Sequence, residues 1–357
     1  MLRRAGTGAW PRSAELSLLA LFTAAGFANH LAWIGSPNVA AFRVSSLLNG
    51  IAFPALLVYG VAIAVRAGEL QLTAAGATVQ TARTSRWPRA LPPVSRALVR
   101  AASSTGLRDL VRTLQRWLPF PKLRSDVSDV LYLNWLVPAD ALEALLPRGR
   151  RVQRFGELSL FSVLVFRHGH FGPAGLGRAR ALLPSPLQCN VRAYLEQPPQ
   201  HVMFLANVID HAAYCLGARL WSDGLCADYP ARASFARTGS TLAVDIDPGE
   251  GSALALHACV TEASSAPAIV LESFGSAEAA LHYIVPQNAA VRDLLTIDET
   301  CESAIVVDAG LESARWVEVN EVRIGAPFAA LIGAAQPLAF VLPSVRFEVV
   351  SERLSRA

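Results

Sequence analysis

The side chains best suited to chemistry lie in one short alternating segment, Ser185 to Glu196, SPLQCNVRAYLE. On an extended chain, Leu187, Cys189, Val191, Ala193 and Leu195 fall on one side, and Gln188, Asn190, Arg192, Tyr194 and Glu196 on the other. Such a strand either covers a core with its polar side in water or lines a cavity. In a cavity, Arg192 would clamp a carboxylate or phosphate in bidentate fashion, with Arg232 as a second arm, and Tyr194 or Glu196 would exchange a proton with it. On a solvated face, Arg192 and Glu196 would instead pair with neighbouring strands or water. The candidate ligand-binding residues are therefore Asn190, Arg192, Tyr194, Glu196 and Arg232, with Arg192 foremost; no catalytic residue is assigned.

Two clusters have metal-ligating types. In HGH, His168 and His170 would share one side of an extended segment, and His211 and Cys215, next to Asp210, stand one helical turn apart. Ligation needs three or four converging groups, so these histidines read more simply as loop caps or surface residues, and no metal is expected. The five cysteines are odd in number, widely spaced and without a CxxC pair, which points to reduced, cytosolic thiols rather than a disulfide framework or zinc site. There is no GxSxG elbow, P-loop or GxGxxG turn, so no cofactor is expected.

The composition, 52% hydrophobic with 17% charged, is apolar enough to require a search for membrane segments. Residues 16–35 and 47–65 are each uncharged and about long enough to cross a bilayer as a helix. Arg3, Arg4 and Arg12 precede the pair, Arg43 alone lies between, and a basic tract follows. Residues 1–70 then read as a hairpin with both ends in the cytoplasm. The competing reading is a signal peptide followed by a buried helix, which leaves a soluble cytoplasmic protein as the alternative. His30 would lie within the first span, where an interhelical hydrogen bond is its simplest role.

Residues 71–124 carry ten basic side chains and one acid, a net +9 that leaves −8 for residues 125–357. Within this linker, Leu107, Leu110, Val111, Leu114, Trp117 and Leu118 repeat with helical spacing, while Arg108, Arg112 and Arg116 form a stripe on another face. An amphipathic helix over 107–118 lying on anionic headgroups is expected. The tract lacks interleaved aromatics or a reader motif, so nucleic acid is an unlikely partner; oligomeric state is not legible.

From Ser125 onward, short strands broken by Pro and Gly dominate: 127–136, 158–166, 187–195, 202–209, 231–237, 242–246, 253–260, 268–274, 315–324 and 345–350. Helices are expected over 138–146 and 210–221, the second capped by Asp210. In WVEVNEVRI the alternation slips at Asn320 and Glu321, which a β-bulge would absorb. No internal repeat is evident. The fold class is mainly β (α+β), an antiparallel barrel or sandwich over 125–357, preceded by the helical hairpin.

In this order, YLNWLVPADALEALLP, FGELSLFSVLVFRHGHFGP, LLPSPLQCNVRAYLE, HVMFLANVIDHAAYCLGARLW and DYPARASF resemble the DUF2071 family, grouped with the acetoacetate decarboxylase-like fold. The resemblance covers Ser125 to Arg237 and implies a strongly bent, barrel-like antiparallel sheet with peripheral helices around a cavity. In acetoacetate decarboxylases, a lysine activated by a second lysine forms a Schiff base with the substrate. The matching segment here is Tyr229, Pro230, Ala231, Arg232, with no lysine, and guanidinium does not form the imine. Lys122, the only lysine in the chain, sits in the basic tract, where it reads as a lipid-facing charge. Decarboxylase activity is therefore expected to be absent. The leading expectation is a membrane-tethered protein binding a small anionic or lipid-derived molecule. The alternatives are a lysine-independent acid/base enzyme on a carbonyl or carboxylate compound and a structural membrane-recruitment protein.

Overall fold

Apolar residues at alternate positions of Leu131, Leu133, Trp135 and Val137, with Val130 and Tyr132 between them, make a strand that must be covered on both faces. In the computed structural model this strand is β1 (Leu123–Pro138), and the described residues are 120, 122–249, 254–294, 299–326 and 328–356. The expected spans 16–35 and 47–65 and the basic helix 107–118 lie outside them. Among the described residues, no helix is long and apolar enough to cross a membrane.

After β1 come α1 (Ala139–Glu143), β2 (Arg154–Phe155), β3 (Leu158–Arg167), β4 (Gly172–Pro173), β5 (Leu187–Tyr194) and β6 (His201–Ile209). Then follow α2 (Ala212–Trp221), β7 (Arg232–Thr238), β8 (Thr241–Asp247), β9 (Leu256–Glu262), α3 (Ala268–Phe274) and α4 (Ala277–Ile284). The chain ends with β10 (Ala289–Leu294), β11 (Glu299–Ala309), β12 (Arg315–Ile324), α5 (Phe328–Ile332) and β13 (Leu338–Arg356). Seven strands pair in the order β1–β3–β5–β6–β10–β11–β13, and β13 returns to β1 with Val130 opposite Leu342 and Leu133 opposite Ala339. The ring is a closed barrel, which leaves these strands no free edge. One pairing departs from the antiparallel expectation: β6 and β10 run parallel, with Ala290 opposite Val202. The long excursion through β7–β9 and three helices makes that possible, because parallel neighbours need a long crossover.

The first part of β13 also pairs with β12, from which β9, β8 and β7 extend as a flap. Leu131, Trp135, Phe161 and Val191 share one core with Val244, Ile246, Leu256 and Val260, so the flap covers the outside of β1, β3 and β5. Inside the ring, Tyr132, Leu160, Tyr194 and Phe340 join Ala280, Leu281 and Ile284 of α4 in a second core. On β12, Val319 pairs with Val260 and Glu321 with Cys259, leaving Asn320 as the extra residue of a bulge where the alternation slips.

Three local expectations need correction. Residues 268–274 form α3, not a strand. Their β-branched residues suggest extension, but Gly275 closes the segment in the left-handed region (φ 77°), donating its N–H to Leu271 O at 2.9 Å, and Val270 packs inward at helical spacing. Asp210 does not cap α2. Its Oδ1 accepts the Leu187 N–H at 2.7 Å, and His211 stands extended before the helix. The strands β10 and β11 were absent from the sequence expectation; β11, ETCESAIVVDA, mixes acids and small residues in a way that masks its alternation.

Phe161, fully buried, packs between Trp135 (centroids 6.0 Å) and Phe328 (5.5 Å) at the barrel–flap interface. Phe161→Ala should lower the unfolding free energy by about 3–5 kcal/mol, measured by urea denaturation. A loss below about 1 kcal/mol would contradict a well-packed interface there.

Candidate functional site

Because the flap takes the apolar face of β5, its polar face has only the barrel interior left. Gln188, Asn190 and Arg192 accordingly line a cavity of about 680 Å³. The opposite walls are apolar: Val130 and Tyr132 from β1, Leu164 and Phe166 from β3, Ile305 and Val307 from β11, Val345 and Phe347 from β13. On β6, Val191 pairs with Ala206 and Arg192 with Phe204, so Leu205 is extra. This bulge turns Leu205 and Ala206 into the outer core while Phe204 and Asn207 both line the cavity. Tyr132, Leu164 and Arg192 at the inner end are buried, whereas Ala213 of α2 and Pro184 are exposed, so the mouth lies between α2 and the loop before β5.

Arg192 is 5% exposed, yet no carboxylate lies within 4.0 Å of it among the described residues. Its Nε and Nη2 donate to the Tyr194 hydroxyl at 3.1 and 2.8 Å, and Nη2 also donates to Ile284 O at 2.8 Å. Ile284 ends α4, so the guanidinium meets the negative end of a helix. The faces of Tyr194 and Tyr132 lie 5.1 and 5.5 Å from its central carbon, adding cation–π attraction. The Tyr194 hydroxyl lies 3.1 Å from Ser162 Oγ, which donates to Asn134 Oδ1 at 2.6 Å. Burial pushes the Tyr132 pKa up to about 12, against the pull of Arg192. The buried Asn190 Oδ1 and, at the mouth, His211 Nδ1 have no hydrogen-bond partner among the described residues, and Arg192 Nη1 donates no hydrogen bond of good geometry there.

Nearer the mouth, the polar groups satisfy one another in one direction. Ser125 Oγ donates to His168 Nδ1 (2.9 Å), His168 Nε2 to Gln188 Oε1 (2.6 Å) and Gln188 Nε2 to Asn207 Oδ1 (2.8 Å). Asn207 Nδ2 then donates to Leu225 O at 3.2 Å. Burial lowers the His168 pKa to about 4, which keeps the imidazole neutral and lets Nδ1 accept in this direction.

The remaining sequence candidates disperse. Tyr194 faces the interior but is committed to Arg192 and Ile284 O. Glu196 is exposed beyond the end of β5, so it cannot act on a cavity ligand. Arg232 does not join Arg192 in a clamp: it projects from the flap and pairs with Asp245 at 3.0 Å. Lys122 is not a free lipid-facing charge but pairs with Glu348 at 2.7 Å on the outside of β13, where the adjacent Phe347 faces in. His168 and His170 do not share a side. His168 is buried and stacks on Phe171 (4.3 Å), whereas His170 is exposed in a left-handed turn (φ 51°). Gly169 separates them because a Cβ there would stand 2.1 Å from Asp126 O. His211 lines the mouth, and Cys215 is buried with Sγ against Ile209 O at 3.1 Å. Among the described residues, no three His, Cys, Asp or Glu side chains converge as a metal site. The sequence reading missed Tyr132, Asn134, Ser162 and Asn207; the polar alternation of Tyr132 and Asn134 in LYLNWLV was the available signal.

Residues 124–247 match the DUF2071 family, described as an uncharacterized conserved protein. The chain carries a DUF2071 segment. This segment contributes β1 to β8 and hence Tyr132, Asn190, Arg192 and Asn207, while Ile284 and the walls β11 and β13 lie beyond it. The chain is also similar to the solved acetoacetate decarboxylase of Legionella pneumophila subsp. pneumophila str. Philadelphia 1. The two are 10% identical with a TM-score of 0.45, over 65% of this chain and 86% of that one. An acetoacetate decarboxylase-like enzyme from Sphingomonas wittichii RW1 is 15% identical, with a TM-score of 0.44 over 66% of this chain and 93% of that one. The enduracididine biosynthesis enzyme MppR, complexed with pyruvate, is 13% identical, with a TM-score of 0.46 over 66% and 90%. No curated protein matches the chain.

His168 of the DUF2071 segment makes the stability of the protein depend on pH. Above its ordinary value of 6.5, the imidazole is neutral in both folded and unfolded chains. As pH falls from about 6.5 towards 4, the unfolded chain takes up a proton that folded His168 refuses, so stability is lost, by up to about 3 kcal/mol. Urea denaturation from pH 7.5 to 4.5 should show this slope and His168→Gln should flatten it. An imidazole midpoint near 6.5, measured by NMR on the folded protein, would refute it.

Proposed function

We propose that the barrel is a small-molecule-binding module that encloses its ligand and works without Schiff-base chemistry. The observation that carries this reading is the cavity, whose size falls in the usual range of ligand sites and whose walls are largely apolar with a few convergent polar groups. Lys122, the only lysine of the chain, is held on the outer face by Glu348. The acid/base alternative has less support. Among the described lining residues there is no carboxylate, and burial raises the pKa values of Tyr132 and Tyr214 away from the range useful for proton transfer at neutral pH.

The same reading attaches the module to a membrane through residues 16–35 and 47–65, with the basic tract on the cytoplasmic side. It is supported by the uncharged length of both segments and by the excess of arginine flanking them. A bilayer beside the module favours a lipid-derived ligand over a water-soluble metabolite.

Two measurements check these statements. The neutral dye N-phenyl-1-naphthylamine should bind the full chain saturably at one site, with enhanced fluorescence. Val307→Trp, which fills the cavity, should weaken that binding about tenfold or more. Unsaturable binding, or binding indifferent to Val307→Trp in a folded variant, would contradict an internal site. A reporter fused to the C terminus of the full chain should be active in the cytoplasm and sediment with membranes; a periplasmic or soluble reporter would refute the tether.

A further inference from the structure

We infer that the ligand is a monocarboxylate with an extended apolar body. Its carboxylate meets Arg192 Nη1 and the Asn190 amide at the inner end, and its chain runs between Leu164, Ile305 and Val307 towards the mouth. The inference rests on the proposed reading of the barrel as a binding cavity and specifies what enters it.

Charge is the first argument. A guanidinium stays protonated in a protein interior, and removing it from water is costly unless it is paired. Tyr194, Ile284 O and two aromatic faces offset part of that cost but supply no negative charge. Other arginines in this protein do have carboxylate partners, as Arg150 has Asp293, Arg154 has Glu143 and the buried Arg180 has Asp126. The buried Arg192 has none among the described residues, and its open nitrogen belongs to a residue that lines the cavity.

The second argument is the orphaned amide. Asn190 is 5% exposed, lines the cavity two residues before Arg192 on the same face of β5, and leaves Oδ1 without a partner. Gln188 and Asn207, on the same wall, already satisfy each other and a backbone carbonyl. On β5 and β6 the orphaned lining atom is thus Asn190 Oδ1, while the other one, His211 Nδ1, lies at the mouth. An amide can turn its NH2 to a carboxylate beside Arg192.

Stoichiometry and shape narrow the class. One fixed positive charge matches one negative charge; a dianionic phosphate would carry a surplus charge into a cavity with no second Lys or Arg among its described lining residues. Tyr132 keeps its proton at neutral pH and adds no competing anion. From Arg192 to Gln188 the strand covers about 13 Å, and the facing walls over that length are Leu164, Phe166, Ile305, Val307 and Phe347. A short polar acid would leave most of this apolar length uncovered, whereas an alkyl chain covers it.

The test compares dodecanoate, dodecanol and dodecyl phosphate, each below its micellar concentration, by calorimetric titration of the full chain. Dodecanoate is expected to bind about tenfold or more tighter than dodecanol, and tighter than dodecyl phosphate. Asn190→Asp, which places a carboxylate beside Arg192, should abolish or reverse the preference for dodecanoate over dodecanol, and Arg192→Met should reduce it to about threefold or less. If Arg192→Met fails to fold cooperatively, the Asn190→Asp ratio decides. Equal affinity of the wild type for dodecanoate and dodecanol overturns the inference, as does tighter binding of dodecyl phosphate or a preference unchanged in Asn190→Asp. In those cases, saturable N-phenyl-1-naphthylamine binding leaves the cavity reading standing, whereas absence of dye binding overturns the cavity reading itself.

Discussion

A guanidinium inside a barrel must be held by something, and most of the architecture around the cavity can be traced to how Arg192 is held. Its donors reach a hydroxyl on its own strand and the last carbonyl of α4, a helix that enters the barrel only after the chain has made β7 to β9 of the flap. Ring closure through β1 and β13 brings Phe340 onto Tyr132 in a stack 4.6 Å apart, and Tyr132 supplies one of the two aromatic faces beside the charge. The partners of one side chain are thus drawn from β1, β5 and α4. The site exists only in the closed fold.

The two bulges have different consequences for that site. At Asn320 the extra residue bends a strand of the flap, away from the cavity. At Leu205 the extra residue changes the face on which β6 presents its side chains, bringing Phe204 and Asn207 both inward. Without it, strict alternation would send one of them into the outer core, and Gln188 would lose the amide that completes its chain from Ser125. The polar chain near the mouth and the open groups near the inner end are therefore set apart by register as well as by residue type.

How much of this was legible beforehand depends on whether the information was local. Most of β1 to β9 could be read because alternation and turn residues are properties of neighbouring positions, and even the Asn320 bulge left its mark as a slip of phase. The helix α3 could not, since Ile269 and Val270 favour extension locally and only packing against the second core decides for a helix. Arg192 and Asn190 were identified as candidates from their place on a polar face. What determines their character is held at sequence separations of 60 and 92 residues: the Tyr132 ring on β1 and the Ile284 carbonyl. Arg232 and Glu196 failed as partners for the same reason, because nearness to a motif says nothing about which layer of the fold a strand joins.

The alternating strand is the instructive case. In a two-layer sheet, an apolar face packs inward and a polar face is left to water, so alternation by itself argues for solvent. Here a further layer reverses the inference: the flap buries Cys189 and Val191, and the ring encloses Asn190 and Arg192, so every residue of β5 is buried. A polar face enclosed in this way must satisfy itself or be satisfied by something that enters. Gln188 does the first, through His168 and Asn207, and Tyr194 does so through Ser162 and Ile284 O. Asn190 and Arg192 lie between those two satisfied positions and keep unpaired groups, which makes the middle of β5 the part of the wall whose chemistry a ligand has to complete.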